Sequence, residues 1–315
     1  MADARPGRAC PTSYRYGAAA LGAQASLQAD TVWIAGGVYG NSLALERLIE
    51  LYEAERGSRA LIFNGDFHWF DIERAQFQRV EALVARYLAT RGNVETELAL
   101  PEAGAGCGCG YPDWVGEAEV ERSNRIIEWL RETASAFPAA LARLAALPMH
   151  LVAEVGGERV AIVHGDAESL AGWGFAQEAL STVSGLAAAR ASFDAANVAI
   201  FASSHTCLPV LQAFGDERAL INNGAAGMPN FRGTRFGLAT RISTFASNDA
   251  LYRLRFANLV LEAVPLEYDA EAWQRLFLAQ WPAGSDAHAS YFARIVNGPR
   301  YDLSEALRRE RALAA

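Results

Sequence analysis

Four residues able to donate oxygen or nitrogen to a metal ion stand near the ends of regular segments. Asp66 follows the apolar run ALIFN (60–64), and Asn93 lies in a turn after a helical stretch. His164 and His205 close the apolar runs VAIV (160–163) and NVAIFASS (197–204). A carboxylate, an amide oxygen and two imidazoles make a donor set suited to a divalent first-row metal such as Mn, Zn or Fe. Any one of them alone says little, because a histidine after a strand is usually structural and Gly-Asp or Gly-Asn dipeptides are common turns. Together they carry meaning if the fold brings them to one place, as loops at the carboxyl ends of strands in α/β sheets do.

The elements that would position them are legible as periodicities. TVWIAGG (31–37) reads as a buried strand entering a glycine turn, and apolar residues at 43, 45, 48, 49 and 52 predict a helix over 42–56. ALIFN predicts a second strand and 73–90 a second helix, an order that implies parallel strands covered by helices. The Gly-, Cys- and Pro-rich segment 101–116 reads as a loop, with helices predicted over 117–135 and 137–147. From 209 onward short strands with close turns suggest a second, more antiparallel sheet, and helices close the chain from about 270. The first thirty residues read as a mobile N-terminal extension, and 31–315 as a single domain without internal repeats.

Of the 315 residues, 51% are hydrophobic and 20% charged, the balance of a globular protein rather than a disordered chain. A net charge of −8 without any Lys/Arg run argues against binding a nucleic-acid backbone. No apolar stretch is long enough to span a membrane. The start MADARPGRAC lacks the basic-then-apolar form of a signal peptide. Four cysteines, at 10, 107, 109 and 207, are too few and too oddly spaced for a disulfide scaffold. The expectation is a cytoplasmic protein with reduced thiols.

In order, the motifs GGVYGNSLAL (36–45), NGDFHWFD (64–71), GNVE (92–95), VHGD (163–166) and SSHTCLP (203–209) resemble the calcineurin-like metallophosphoesterase family. Its pattern is DxH…GDxxD…GNH(D/E)…H…GHxH, and the Gly-Asn-x-x-Ala-Leu continuation at 40–45 is similar to small bacterial members. INNGAAGMP (221–229) and LEYD (266–269) match later features, so the resemblance spans about 31–295. It implies an α/β/β/α sandwich, two mixed sheets flanked by helices, acting on a small phosphorylated substrate.

The departures fall on one side of the implied two-metal site. Gly37 stands where the family has its first Asp, Tyr39 where it has the following His, and Cys207 where it has the last His. Val94 replaces the imidazole after the Asn, and Ser204 the Gly of GHxH. Carried over by position, Asp66, Asn93, His164 and His205 hold one ion; the other keeps only Asp66, with Cys207 as a further candidate. Thiolates of Cys107, Cys109 and Cys207 could rebuild a second site of another kind.

The resemblance therefore implies a metal-dependent hydrolase of phosphate mono- or diesters with one intact metal site and reduced activity. Water held by the ion would be the attacking group. The alternative is an inactive module of the same fold that binds metal or a phosphorylated ligand. No general acid can be named; Tyr39, His68 and Asp166 are candidate helpers, Asp166 by orienting His164. Glu95 and Asp71 read as orienting or structural, and Trp114, beside the CxC loop, as a candidate substrate contact. His150 and His288 receive no role, and the sequence does not specify an oligomeric state.

Overall fold

Along Thr31–Ala35, Val32 and Ile34 join one apolar cluster while Trp33 and Ala35 join another, and all five residues are buried. Side chains alternate across a strand, so this pattern demands apolar layers on both faces. The computed structural model describes residues 5–215 and 217–308. Residues 1–4 of the expected extension and 309–315 of the expected domain lie outside the described residues.

In chain order the elements are β1 (Leu27–Ala29), β2 (Thr31–Ala35), α1 (Ser42–Glu53), β3 (Arg59–Asn64), α2 (Arg74–Val84), β4 (Leu88–Thr90) and α3 (Asn93–Ala99). Then come α4 (Glu117–Ala134), α5 (Pro138–Ala146), β5 (His150–Val155), β6 (Glu158–Val163), α6 (Val183–Ala196), β7 (Ile200–Ser203), β8 (Val210–Phe214) and β9 (Arg218–Asn222). The chain closes with β10 (Gly237–Ser243), β11 (Tyr252–Phe256), β12 (Leu259–Leu266), α7 (Ala270–Gln280), α8 (Asp286–Asn297), α9 (Leu303–Ala306) and β13 (Leu307–Arg308).

Two mixed sheets result, one ordered β1-β5-β6-β7-β9-β8-β13 and the other β11-β12-β10-β2-β3-β4. Val32, Ile34 and Ile62 from one sheet meet Val160, Ile162, Ile200 and Ile221 from the other in the layer between them. Trp33, Ala35, Leu61 and Phe63 face outward onto α1, α2, α4, α7 and α8, and Ala161, Val163 and Phe201 face α6. This is the expected sandwich of two mixed sheets flanked by helices.

Three sequence expectations are corrected. The strands after 209 do not form a sheet of their own: β8 and β9 join β6 and β7, while β10 and β12 extend the sheet begun by β2 and β3. Short strands carry no label of the sheet they enter, because pairing is decided by long-range register. The helix expected over 73–90 stops at Val84, and Leu88–Thr90 continues as β4 beside β3, which places Asn93 after a strand rather than after a helix.

The third concerns the N-terminal segment, which from residue 5 is packed against the rest of the chain. β1 pairs with β5, Tyr14 is buried with its hydroxyl donating to Glu97 at 2.7 Å, and Leu21 is fully buried in the α6 cluster. Its apolar residues are too sparse for a helical or strand periodicity, so only tertiary contacts reveal them. No helix among the described residues is long and apolar enough to cross a membrane.

Candidate metal centre

Each of the four candidate ligands sits just beyond the carboxyl end of a strand. Asp66 and Asn93 follow β3 and β4 in one sheet, and His164 and His205 follow β6 and β7 in the other. The centre therefore straddles both sheets. Gly65 and Gly92 let the two turns of the first sheet touch: a Cβ on Gly65 would lie 2.6 Å from both the Gly92 Cα and His164 Nδ1. The Glu95 carboxylate, fully buried, ties these turns together by accepting backbone N–H bonds from Asp66 (2.8 Å), Phe67 (3.0 Å) and Gly92 (2.8 Å).

Four acceptor atoms converge there. His164 Nε2 is 3.3 Å from Asp66 Oδ2, 3.3 Å from Asn93 Oδ1 and 3.1 Å from His205 Nδ1. The outer nitrogen of each ring is occupied: His164 Nδ1 donates to the Asn64 carbonyl at 2.8 Å and His205 Nε2 to the Cys109 carbonyl at 2.9 Å. That fixes the tautomers so that both inner nitrogens carry lone pairs. Asn93 is fixed the same way, its Nδ2 donating to the Cys107 carbonyl at 3.0 Å, which turns Oδ1 inward. Lone pairs facing one another in a buried space repel unless a cation lies between them. The separations match the edges of a coordination shell with bonds of about 2.0–2.1 Å, and bracing of ligating histidines by carbonyls is the usual outer shell of a metal site. The residues present fit a divalent ion.

The electrostatics agree. Burial opposes ionisation of Asp66, yet the two imidazoles beside it outweigh burial and hold its pKa below the ordinary value. Burial, then the neighbouring His164, lowers His205 to about 4, so it is neutral and free to ligate. Burial also disfavours charge on His164, but Asp66 outweighs that and raises its pKa: a proton on Nε2 is drawn to the same negative focus as an ion.

Tyr39 and Cys207 stand where the resemblance would place ligands of a second ion, and they bond to each other. Tyr39 folds back over Gly37, where a Cβ would lie 2.8 Å from the ring, and its hydroxyl is 2.8 Å from Cys207 Sγ. Burial raises both the phenol and the thiol, leaving a neutral pair. Among the described residues the converging His, Cys and carboxylate donors are Asp66, His164 and His205; Cys207 is not with them. Cys107 and Cys109 are joined to each other as a disulfide, which corrects the expectation of reduced thiols. Gly106, Gly108 and Gly110, with φ of 64°, 67° and 59°, curl the segment so that the cysteine Cα atoms lie 5.4 Å apart.

The remaining candidates lie around this centre. His68 is fully buried away from the cavity, bonded to Asp71 (2.6 Å) and Glu81 (3.2 Å) and stacked on Phe77. Asp166 does not touch His164; it accepts from the N–H groups of Glu168, Ser169 and Gly174 and closes the loop that carries Trp173. Trp173 stands edge-on to His205 at 5.4 Å and donates to the Cys109 carbonyl at 3.0 Å. Trp114, 62% exposed, packs against the outer side of Trp173. The cavity, about 50 Å³, is walled by Tyr39, Trp69, Val94, Tyr111, Trp173 and Tyr291 besides Asp66, Asn93, His205, Cys109 and Cys207, and neither Lys nor Arg lines it. Sequence reasoning did not single out Asn64 or the two cysteine carbonyls as braces. The alternating Gly-Cys-Gly-Cys-Gly was the available signal for the latter.

No family model and no curated protein matches the chain. Among solved structures, a metallophosphoesterase from Sphaerobacter thermophilus superposes with a TM-score of 0.55 at 18% identity, covering 86% of this chain and 100% of the other. A hypothetical protein from Pyrococcus horikoshii OT3 gives 0.56 at 15% identity, with coverage of 86% and 99%. The chain thus shares the fold of a metallophosphoesterase, two mixed sheets flanked by helices, and the likeness at these identities is one of fold.

Proposed function

We propose that this protein is a metal-dependent phosphoesterase working with one divalent ion held by Asp66, Asn93, His164 and His205. The observation that carries the reading is the convergence of four lone-pair donors with every outer partner already satisfied. Bound there, the ion would supply Lewis acidity toward a phosphoryl oxygen and make water a better nucleophile.

The chain's own residues restrict the substrate. Among the residues lining the cavity Asp66 is the one carboxylate and none is cationic, so a doubly charged ion would leave a single positive charge there. A phosphodiester monoanion balances that charge, whereas a monoester dianion would leave an excess negative charge among aromatic walls, where desolvation is costly. Val94 offers no proton to the leaving group, so esters with weakly basic leaving groups are favoured. Trp173 and Tyr111 present rings to an apolar leaving group and exclude water from its path.

The test is hydrolysis of bis(p-nitrophenyl) phosphate and p-nitrophenyl phosphate by the metal-loaded protein, with Mn, Zn and Fe(II) compared. The diester should turn over faster, and Asp66→Ala or His205→Ala should remove the metal-dependent rate. Tyr39 and Cys207 at the second position, with Val94, favour one rival, ligand binding without turnover. Metal-dependent affinity for a non-hydrolysable diester with no product formed would establish that rival instead.

A further inference from the structure

The segment 106–110 touches the candidate centre twice through its backbone and itself once through sulfur. The Cys107 carbonyl fixes which end of Asn93 faces inward, and the Cys109 carbonyl fixes which nitrogen of His205 is bare. The same two residues carry the disulfide, so one covalent ring sets the spacing of the two carbonyls. It is closely packed: a Cβ on Gly108 would collide with the Tyr14 hydroxyl, and Trp173 Nε1 donates to the Cys109 carbonyl at 3.0 Å. Other bonds hold the segment at its margins. Asn124 accepts from the Cys107 N–H at 2.9 Å, Arg131 donates to the Gly106 carbonyl at 3.1 Å, and Gly7 donates to the Ala105 carbonyl at 2.8 Å. Opening the ring would therefore loosen the two carbonyls without unfolding the loop.

We propose that the Cys107–Cys109 disulfide is a redox-controlled brace of the metal centre, with the bonded form binding the ion more tightly than the dithiol form. The inference rests on the metal-site reading above. The reductant is a dithiol. Its thiolate attacks one sulfur, the Cys107–Cys109 bond breaks and a mixed disulfide forms. The second thiol of the reductant then displaces the remaining cysteine thiolate. Two electrons and two protons end on Cys107 and Cys109, and the reductant leaves as its own disulfide. Cys109 lines the cavity while Cys107 is fully buried, so Cys109 is the sulfur the entering thiolate meets.

Loss of an outer partner of a metal ligand typically weakens binding by about 10–100-fold. The margin bonds argue for the lower end, a weakening of about 10-fold. The experiment uses the full-length apoprotein, as isolated and after dithiothreitol treatment followed by anaerobic removal of the reagent. Titratable thiols should rise from two, Cys10 and Cys207, to four. Mn²⁺ affinity, read from the EPR signal of the free ion, should fall with them and recover on reoxidation. The Cys107→Ser/Cys109→Ser protein should bind like the reduced form under both conditions, with circular dichroism checking its fold. Equal or tighter binding after reduction overturns the inference while leaving the metal site standing. Four thiols in protein exposed to oxidant overturn it as well. No Mn²⁺ bound in either state overturns the site assignment and this inference together.

Discussion

Tyr39, Asp66 and Cys207 are three of the five non-glycine residues with positive φ among the described residues, and all three line the same cavity. Holding an L-residue in that region costs about 1–3 kcal/mol each, and such strain gathers where a site needs a particular geometry. At Asp66 the cost is offset by the Glu95 clamp, which points the carboxylate at the histidines. Val94 sits beside it, its N–H donating to Asp66 Oδ1 at 3.2 Å and its side chain facing the cavity. A Val94→His protein should accelerate diester hydrolysis by about 10²-fold, the low end of what a positioned general acid contributes. A kcat comparison across leaving groups of different basicity checks it: a flatter dependence marks proton donation, and an unchanged slope sinks the role. The four candidate ligands were legible in the sequence through motif order, Asp66, His164 and His205 following apolar runs and Asn93 standing in a Gly-Asn turn. The braces were not, because Asn64, Cys107 and Cys109 act through backbone carbonyls that every residue possesses.

The buried cluster between α2, α5 and the loop after β3 acts at the scale of elements. Glu81 on α2 accepts from His68 and, bidentately, from Arg143 on α5. Burial alone would raise Glu81, but the hydrogen bonds from His68 and Arg143 outweigh it and lower its pKa to about 2 from 4.5. A carboxylate depressed in the folded state contributes stability that is complete above about pH 4.5 and lost as pH falls toward 2. Urea unfolding across that interval should show a falling acid limb that Glu81→Gln flattens. Near neutral pH the same change should cost about 3 kcal/mol, because it leaves the partly buried Arg143 without a counter-charge and takes one of two carboxylates from buried His68. A mutant whose acid limb matches the parent would assign the limb to other carboxylates. The sequence showed α2 itself, as a helix expected over 73–90, but not where it stopped. Tyr87 to Thr90 keeps an apolar content that suits helix or strand, and only the open edge of β3 decides for β4.

Across the whole molecule, the four candidate ligands are split evenly between two sheets that otherwise meet through apolar packing. An ion held there would join the sheets and would bind the unfolded chain far less well. At a free-ion concentration 100 times its dissociation constant, Mn²⁺ should stabilise the protein by about 2.7 kcal/mol. Thermal unfolding with and without Mn²⁺ measures this, and an Asp66→Ala protein should lose the response. A midpoint indifferent to metal would mean that the sheets are not bridged. At this scale the sandwich was readable from strand–helix alternation and motif order. The sharing of late strands between sheets and the docking of residues 5–30 were not, since both depend on pairings remote in sequence.

β1, formed by Leu27–Ala29, pairs with residues 153–155 of β5. During synthesis the ribosome releases that strand long before its partner exists, so it cannot template the sheet it belongs to. Tyr14, lodged between Gly108 and Glu97, is in the same position, waiting for a loop made much later. Contacts this distant are slow to close, and the exposed segment must stay out of wrong pairings meanwhile. Tyr14 and Leu27–Ala29 thus settle only after partners far along the chain have followed them.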